Sequence, residues 1–108
     1  MRAAAVLILA LAFAGGALAG GNPEKGKAKA AQVCAACHGA DGAKPVAPEN
    51  PILAGQYADY LAKALADYKS GRRANPVMKA FADQLSRQDM EDLAAWFAGQ
   101  KSSLHFQR

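Results

Sequence analysis

Both cysteines of this chain and one of its two histidines fall within five residues, Cys34-Ala35-Ala36-Cys37-His38. Four chemistries use such a string. It can be a redox-active dithiol, half of a zinc site, a disulfide beside an unrelated histidine, or the attachment point of a c-type haem. In the last case each thiol adds to a porphyrin vinyl group and the histidine ligates iron. On a helix, positions i, i+3 and i+4 share a face, so Cys34, Cys37 and His38 would point together at one flat object. The spacing therefore favours haem, but the string alone leaves the other three readings open.

The first residues, MRAAAVLILALAFAGGALAGG, place Arg2 before an apolar run from Ala3 to Ala14. Two glycines follow, then Ala17-Leu18-Ala19, a small-x-small cleavage site. This pattern reads as a secretory signal peptide (residues 1–19) cleaved after Ala19. The run is shorter than the about 20 residues needed to span a bilayer, so stable membrane insertion is not expected. Export points to a bacterial periplasm. Two cysteines there would normally pair, but redox dithiols of this spacing sit on βαβ scaffolds, and no strand-like alternation stands out here. Thioether bonds to haem explain the thiols better.

Lys plus Arg total 13 and Asp plus Glu 9. The charges are mixed along the chain, with no clustered basic motif of the kind nucleic-acid binding requires.

The informative periodicities are helical. Asn22-Pro23-Glu24 is an N-cap, a first-turn proline and an acid, which opens a helix expected to run through Cys37. Its face of Gly26, Ala30, Val33 and Cys37 is small, as a close helix crossing would need. Residues 39–55 hold three glycines and three prolines and read as loop. In QYADYLAKALADYKSG, residues Tyr57, Tyr60, Leu61, Ala64, Leu65 and Tyr68 form an amphipathic stripe. RRANPVM reads as a second loop. A last helix opens at Ser86, with Asp89 in a capping-box pairing and Met90, Leu93, Ala94 and Phe97 as its buried stripe. Residues 101–108 read as a loosely held polar tail. The expected organisation is all-α, about three main helices and their loops in one domain, residues 20–100. So thin and alanine-rich a core calls for a staple, and a haem between the helices would be one.

A haem electron carrier needs a second axial ligand. Met90 has core spacing and His105 lies in the tail. Met78 follows Asn75-Pro76, and proline restricts the residue before it, so an extended segment able to lay a thioether against the haem is expected there. Thirty-nine residues separate Met78 from His38, enough to return to the other haem face. Met78 is the expected distal ligand.

With these pieces in order, the chain resembles the class I c-type cytochromes, and within them the small monohaem bacterial periplasmic proteins with CHGADG and P-x-LAGQ patterns. The likeness covers Asn22 to about Gly99. It implies the cytochrome c fold and one haem c, with Cys34 and Cys37 as thioether residues, His38 as proximal ligand and Met78 as distal ligand. It implies that Pro51 and Leu53 lie beside the proximal histidine, with the proline carbonyl accepting from its Nδ1–H. It also implies that Gly26 and Trp96 meet where the first and last helices cross, and that Arg72 or Arg73 could contact a propionate. The function it implies is single-electron transfer by a monomer, with no substrate transformed, between transient redox protein partners that dock among lysines such as Lys44 and Lys79. Two rivals stay open: a haem subunit working only inside a larger oxidoreductase complex, and a gas- or peroxide-reactive haem protein with an open sixth position.

Overall fold

The structure is a computed structural model, described here for residues 20–103. The expected signal segment and His105 lie outside the described residues. Within them there is no strand, and five helical segments follow one another: α1 (Pro23–Val33), α2 (Ala35–His38), α3 (Ala58–Ser70), α4 (Pro76–Ala82) and α5 (Arg87–Ala98).

Helix α1 begins where the sequence signals it. The Asn22 side chain accepts from the backbone N–H groups of Glu24 and Lys25, with Pro23 in the first turn. At α5 the capping box is complete: Ser86 Oγ accepts from the Asp89 N–H at 3.0 Å, and Asp89 Oδ2 accepts from the Ser86 N–H at 2.9 Å. Together these bonds satisfy donors that a helix start otherwise leaves without partners.

Helices α1 and α5 cross at the base of the molecule. A Cβ built on Gly26 would lie 1.9 Å from the Asp92 carbonyl oxygen and 2.9 Å from Trp96 Cβ. Only a residue without a side chain permits that approach, and the expected meeting of Gly26 with Trp96 is present. Asp92, 4% exposed, is satisfied inside this junction. Its Oδ1 accepts from the Asn22 N–H at 2.7 Å and from Gln88 Nε2 at 2.8 Å, so the start of α1 is tied to the middle of α5. The core is one cluster of Ala30, Leu61, Leu85, Met90, Leu93, Ala94 and Phe97. The stripe expected on the last helix is thus the side that packs.

Two expectations are corrected. The first helix does not run unbroken to Cys37. It is interrupted at Cys34, whose φ of −114° leaves the helical range before α2 resumes at Ala35. Hydrogen bonds still pass through the break, with the Cys34 N–H donating to Ala30 O at 2.9 Å and the His38 N–H donating to Cys34 O at 3.0 Å. The Cys37 N–H also donates to Cys34 O at 3.2 Å, a tighter turn at the break.

The second correction concerns Met78, which lies in helix α4 and not in an extended loop. Only Asn75 is extended, at φ −160° and ψ 107°, and its side chain accepts the Met78 N–H at 3.0 Å. Asn75-Pro76 therefore acts as cap and first helical residue, the same signal that Asn22-Pro23 gives at α1. Helix α4 and the turn after it are bound back to α3, with Lys79 Nζ donating to Lys69 O at 3.0 Å and Lys69 Nζ donating to Leu85 O at 2.6 Å.

Among the described residues no helix is long and apolar enough to cross a membrane.

A cleft between the cysteine turn and helices α3 and α4

Residues 39–55 fold back over α2. The Cys37 carbonyl accepts from the Val46 N–H at 3.1 Å and from Asn50 Nδ2 at 3.0 Å, and the Gly42 carbonyl accepts from the N–H groups of Leu53 and Ala54. Gly42 has φ +75°, and a Cβ there would stand 2.7 Å from the Phe97 ring. Its place therefore needs both the left-handed backbone and the missing side chain. This fold-back carries the Pro51 carbonyl to 3.0 Å from His38 Nδ1. A carbonyl oxygen can only accept, so Nδ1 carries the ring proton and Nε2 presents a lone pair. His38 is 7% exposed, held between its own short helix and this loop.

A cleft of about 550 Å³ opens beside it, within the usual size range of small-molecule and cofactor sites. Cys34, Cys37, His38, Pro51, Leu53 and Met78 all line it. His38 and Met78 arrive from different helices, and α3 supplies the wall that includes Tyr60, Leu61, Leu65 and Tyr68. The tyrosine-rich stripe of α3 is therefore divided. Leu61 belongs to the core, whereas Tyr60, 50% exposed, turns toward the cleft. Met90 and Met78 are separated in the same way: Met90 is 5% exposed inside the core cluster and does not line the cleft.

The two cysteines are not joined to each other. Burial pushes the Cys34 thiol up to about 11, and the neighbouring Cys37 adds to the shift. Cys37 is exposed at the mouth. Among the described residues no group of three or more His, Cys, Asp or Glu side chains could hold a metal ion, so a zinc site built from the cysteine string finds no partners there.

Two further residues matter that periodicity did not single out. Arg73 lines the cleft and Arg72 does not. Lys44 and Lys79, expected in a ring of docking lysines, are both exposed, and Lys79 is also paired with Asp83 at 3.0 Å and donates to the Lys69 carbonyl.

The family described as cytochrome c oxidase, cbb3-type, subunit III matches residues 21–97. Cytochrome c4 from Pseudomonas aeruginosa is 50% identical over 98 residues, covering 91% of this chain and 48% of the relative. Cytochrome c-554(548) from Halomonas halodenitrificans is 39% identical over 71 residues, covering 63% of this chain and 84% of the relative. The chain belongs to the class I c-type cytochromes. The crystal structure of reduced recombinant cytochrome c4 from Pseudomonas stutzeri superposes with a TM-score of 0.70 at 44% identity, over 78% of this chain and 48% of that one. The all-α fold is accordingly the cytochrome c fold, and the cofactor of the family is haem c. The chain spans about half the length of the cytochromes c4 it matches.

The cleft fits that cofactor on its own terms. It is largely apolar, two thiols with the vinyl-bonding spacing lie at its edge, and its lining includes an imidazole with a free Nε2 and a thioether.

Proposed function

We propose that this chain is a periplasmic one-electron carrier, exported by residues 1–19 and cleaved after Ala19, with residues 20–100 as its haem domain. In this reading Cys34 and Cys37 would hold haem through two thioethers, each S–H adding across a vinyl C=C with no atom lost, and His38 Nε2 and Met78 Sδ would hold the iron. Bound haem supplies a centre that gains and loses one electron.

The observation that carries the reading is the convergence of His38 and Met78 on the same cleft as both cysteines. The residues around them do the rest. The Pro51 carbonyl orients the imidazole and strengthens it as a donor. Asn75 fixes the first turn of α4 and so the origin of the Met78 side chain. A neutral, soft thioether favours ferrous iron and raises the potential. With His38 and Met78 both holding the iron, no open site would remain for a substrate. Redox partners then meet the exposed cleft mouth near Cys37, in transient encounters typically burying less than about 1,200 Å².

The deciding experiment is the absorption spectrum of the purified ferric protein. A weak far-red band from sulfur-to-iron charge transfer supports the reading. Its absence, together with ready carbon monoxide binding to the ferrous form, replaces it with an open-site haem protein.

The description of the matching family as an oxidase subunit favours a second reading, in which the chain works only inside a larger complex. Co-purification of the chain with a larger oxidoreductase separates this reading from a freely diffusing carrier.

A further inference from the structure

The loop from Gly39 to Gly55 carries the Pro51 carbonyl that orients His38, so whatever fixes the loop fixes the ring. Upstream of Pro51 the anchors are local. The Asn50 N–H donates to Ala47 O at 3.1 Å, and the Asn50 side chain is held on the Cys37 carbonyl, next to the histidine itself. Downstream the anchors lead to α5. The Leu53 and Ala54 N–H groups close on the Gly42 carbonyl, and Gly42 is wedged between Leu53 and the Phe97 ring. At Gly55 the loop reaches the helix backbone, its N–H donating to Phe97 O at 2.9 Å. Carbonyls in the last turn of a helix lack an intrahelical partner, so the bond satisfies a group on each side.

The chain beyond α5 then crosses over Gly55. The Gln100 N–H donates to the same Phe97 carbonyl at 3.2 Å. A Cβ built on Gly55 would lie 2.6 Å from Ser102 Cβ and 3.4 Å from Gln100 O, and Gly55 has φ +75°, so glycine is needed there twice over. Ser102, in the segment read from the sequence as a polar tail, thus lies on the loop that serves the histidine. Neither Gly55 nor any of residues 99–102 lines the cleft, so an effect of these residues on the iron has to pass through the loop.

We propose that the end of α5 and the residues after it, Phe97 to Ser102, form the positioning element of the His38 ligand, acting on the imidazole through Gly55 and the Pro51 carbonyl. The inference rests on the haem reading above. An Nδ1–H donated to a carbonyl makes Nε2 a stronger donor, and a stronger donor stabilises ferric iron more than ferrous. Releasing Gly55 from the end of α5 frees the carbonyl to move off Nδ1, weakens the donor and raises the ferrous share.

The test uses the exported protein with its haem, comparing wild type with a chain ending at Gly99, with Gly55→Ala and with the core variant Met90→Ala. Haemochrome spectra and intact mass first establish covalent haem. Hydrogen exchange of the His38 Nδ1–H in the ferrous form, midpoint potential and Tm are then measured. The shortened chain and Gly55→Ala are both expected to exchange this proton several-fold faster and to raise the ferrous-to-ferric ratio several-fold at a fixed applied potential. Met90→Ala should lower Tm and change neither. If the proton exchange or the potential stays at its wild-type value in the shortened chain or in Gly55→Ala, whatever the Tm, the proposal is overturned, because the contact would then serve packing alone. Equal changes in Met90→Ala also overturn it, as a general loosening of the core. Should the shortened chain or Gly55→Ala fail to load haem, the wild-type holoprotein decides by native-state hydrogen exchange. The Gly55 N–H and the His38 Nδ1–H should then open together, with the same dependence on mild denaturant, and separate openings overturn the proposal. A wild-type protein without covalent haem defeats the haem reading, and this inference with it, whereas haem present with an insensitive His38 defeats this inference alone.

Discussion

His38 Nδ1 lies 3.0 Å from the carbonyl oxygen of Pro51, thirteen residues further along the chain. The contact settles which ring nitrogen bears the proton, and it depends on the Cys37 carbonyl, which anchors the returning loop through Val46 and Asn50. The cysteine motif therefore also organises the loop that orients its histidine.

Met78→Ala is expected to abolish the far-red band of the ferric protein, lower its potential and open the iron to cyanide or carbon monoxide. Met90→Ala should keep the band, because Met90 is in the core and outside the cleft. It should instead cost about 2–5 kcal/mol of stability, the usual loss for truncating a buried methionine. Retention of the band in Met78→Ala would assign the ligand elsewhere.

Haem should survive acid and organic-solvent extraction, and the intact mass should correspond to a chain beginning at Gly20 plus one haem. Replacing Cys34 with Ser should leave a single thioether and shift the pyridine haemochrome band. A full-length Met1 chain recovered from membranes would show an anchor in place of a cleaved leader.

Gly26→Ala is expected to destabilise the protein more than a helix-propensity argument allows. Alanine is the better helix former by about 1 kcal/mol, yet its Cβ would stand 1.9 Å from the Asp92 carbonyl. Overpacking of this kind typically costs about 1–3 kcal/mol, so thermal unfolding of the holoprotein should show a lowered Tm. A raised Tm would mean that α1 can move off α5 freely.

The Ser86 N–H holds the Asp89 carboxyl below the usual carboxylate range, with the Ser86 hydroxyl and the charges of Lys29, 4.0 Å away, and Lys69 adding to the effect. Because the folded pKa is depressed, the associated stability is present above the unfolded value of about 3.9 and is lost as pH falls through the folded value. Asp89→Asn should therefore lower Tm at neutral pH and make little difference in strong acid. Ser86→Ala should cost about 1 kcal/mol through loss of the cap. Parallel pH–Tm curves for Asp89→Asn and wild type would contradict the assignment.

Much of the chain was legible as sequence because its signals are local. The caps at Asn22 and Ser86, the stripe from Met90 to Phe97 and the small face at Gly26 each depend on neighbours within a few turns, and all are present in the structure. The same local logic was available at Asn75-Pro76, which caps α4 as Asn22-Pro23 caps α1; reading proline only as a helix breaker hid it. The break at Cys34 carries no glycine or proline to announce it.

The sequence by itself determined the helical class, the helix starts at Asn22 and Ser86, and the grouping of two thiols and an imidazole, because these follow from backbone hydrogen bonding and side-chain period. Tertiary structure alone decided which arginine lines the cleft. Spacing already assigns Met90 to the core and leaves Met78 for the cleft, but Arg72 and Arg73 are adjacent, so local preference cannot separate them. What separates them is which side of the turn after α3 faces the cleft, and the cleft exists only once α3, α4 and the cysteine turn have packed around it, an outcome of the whole domain.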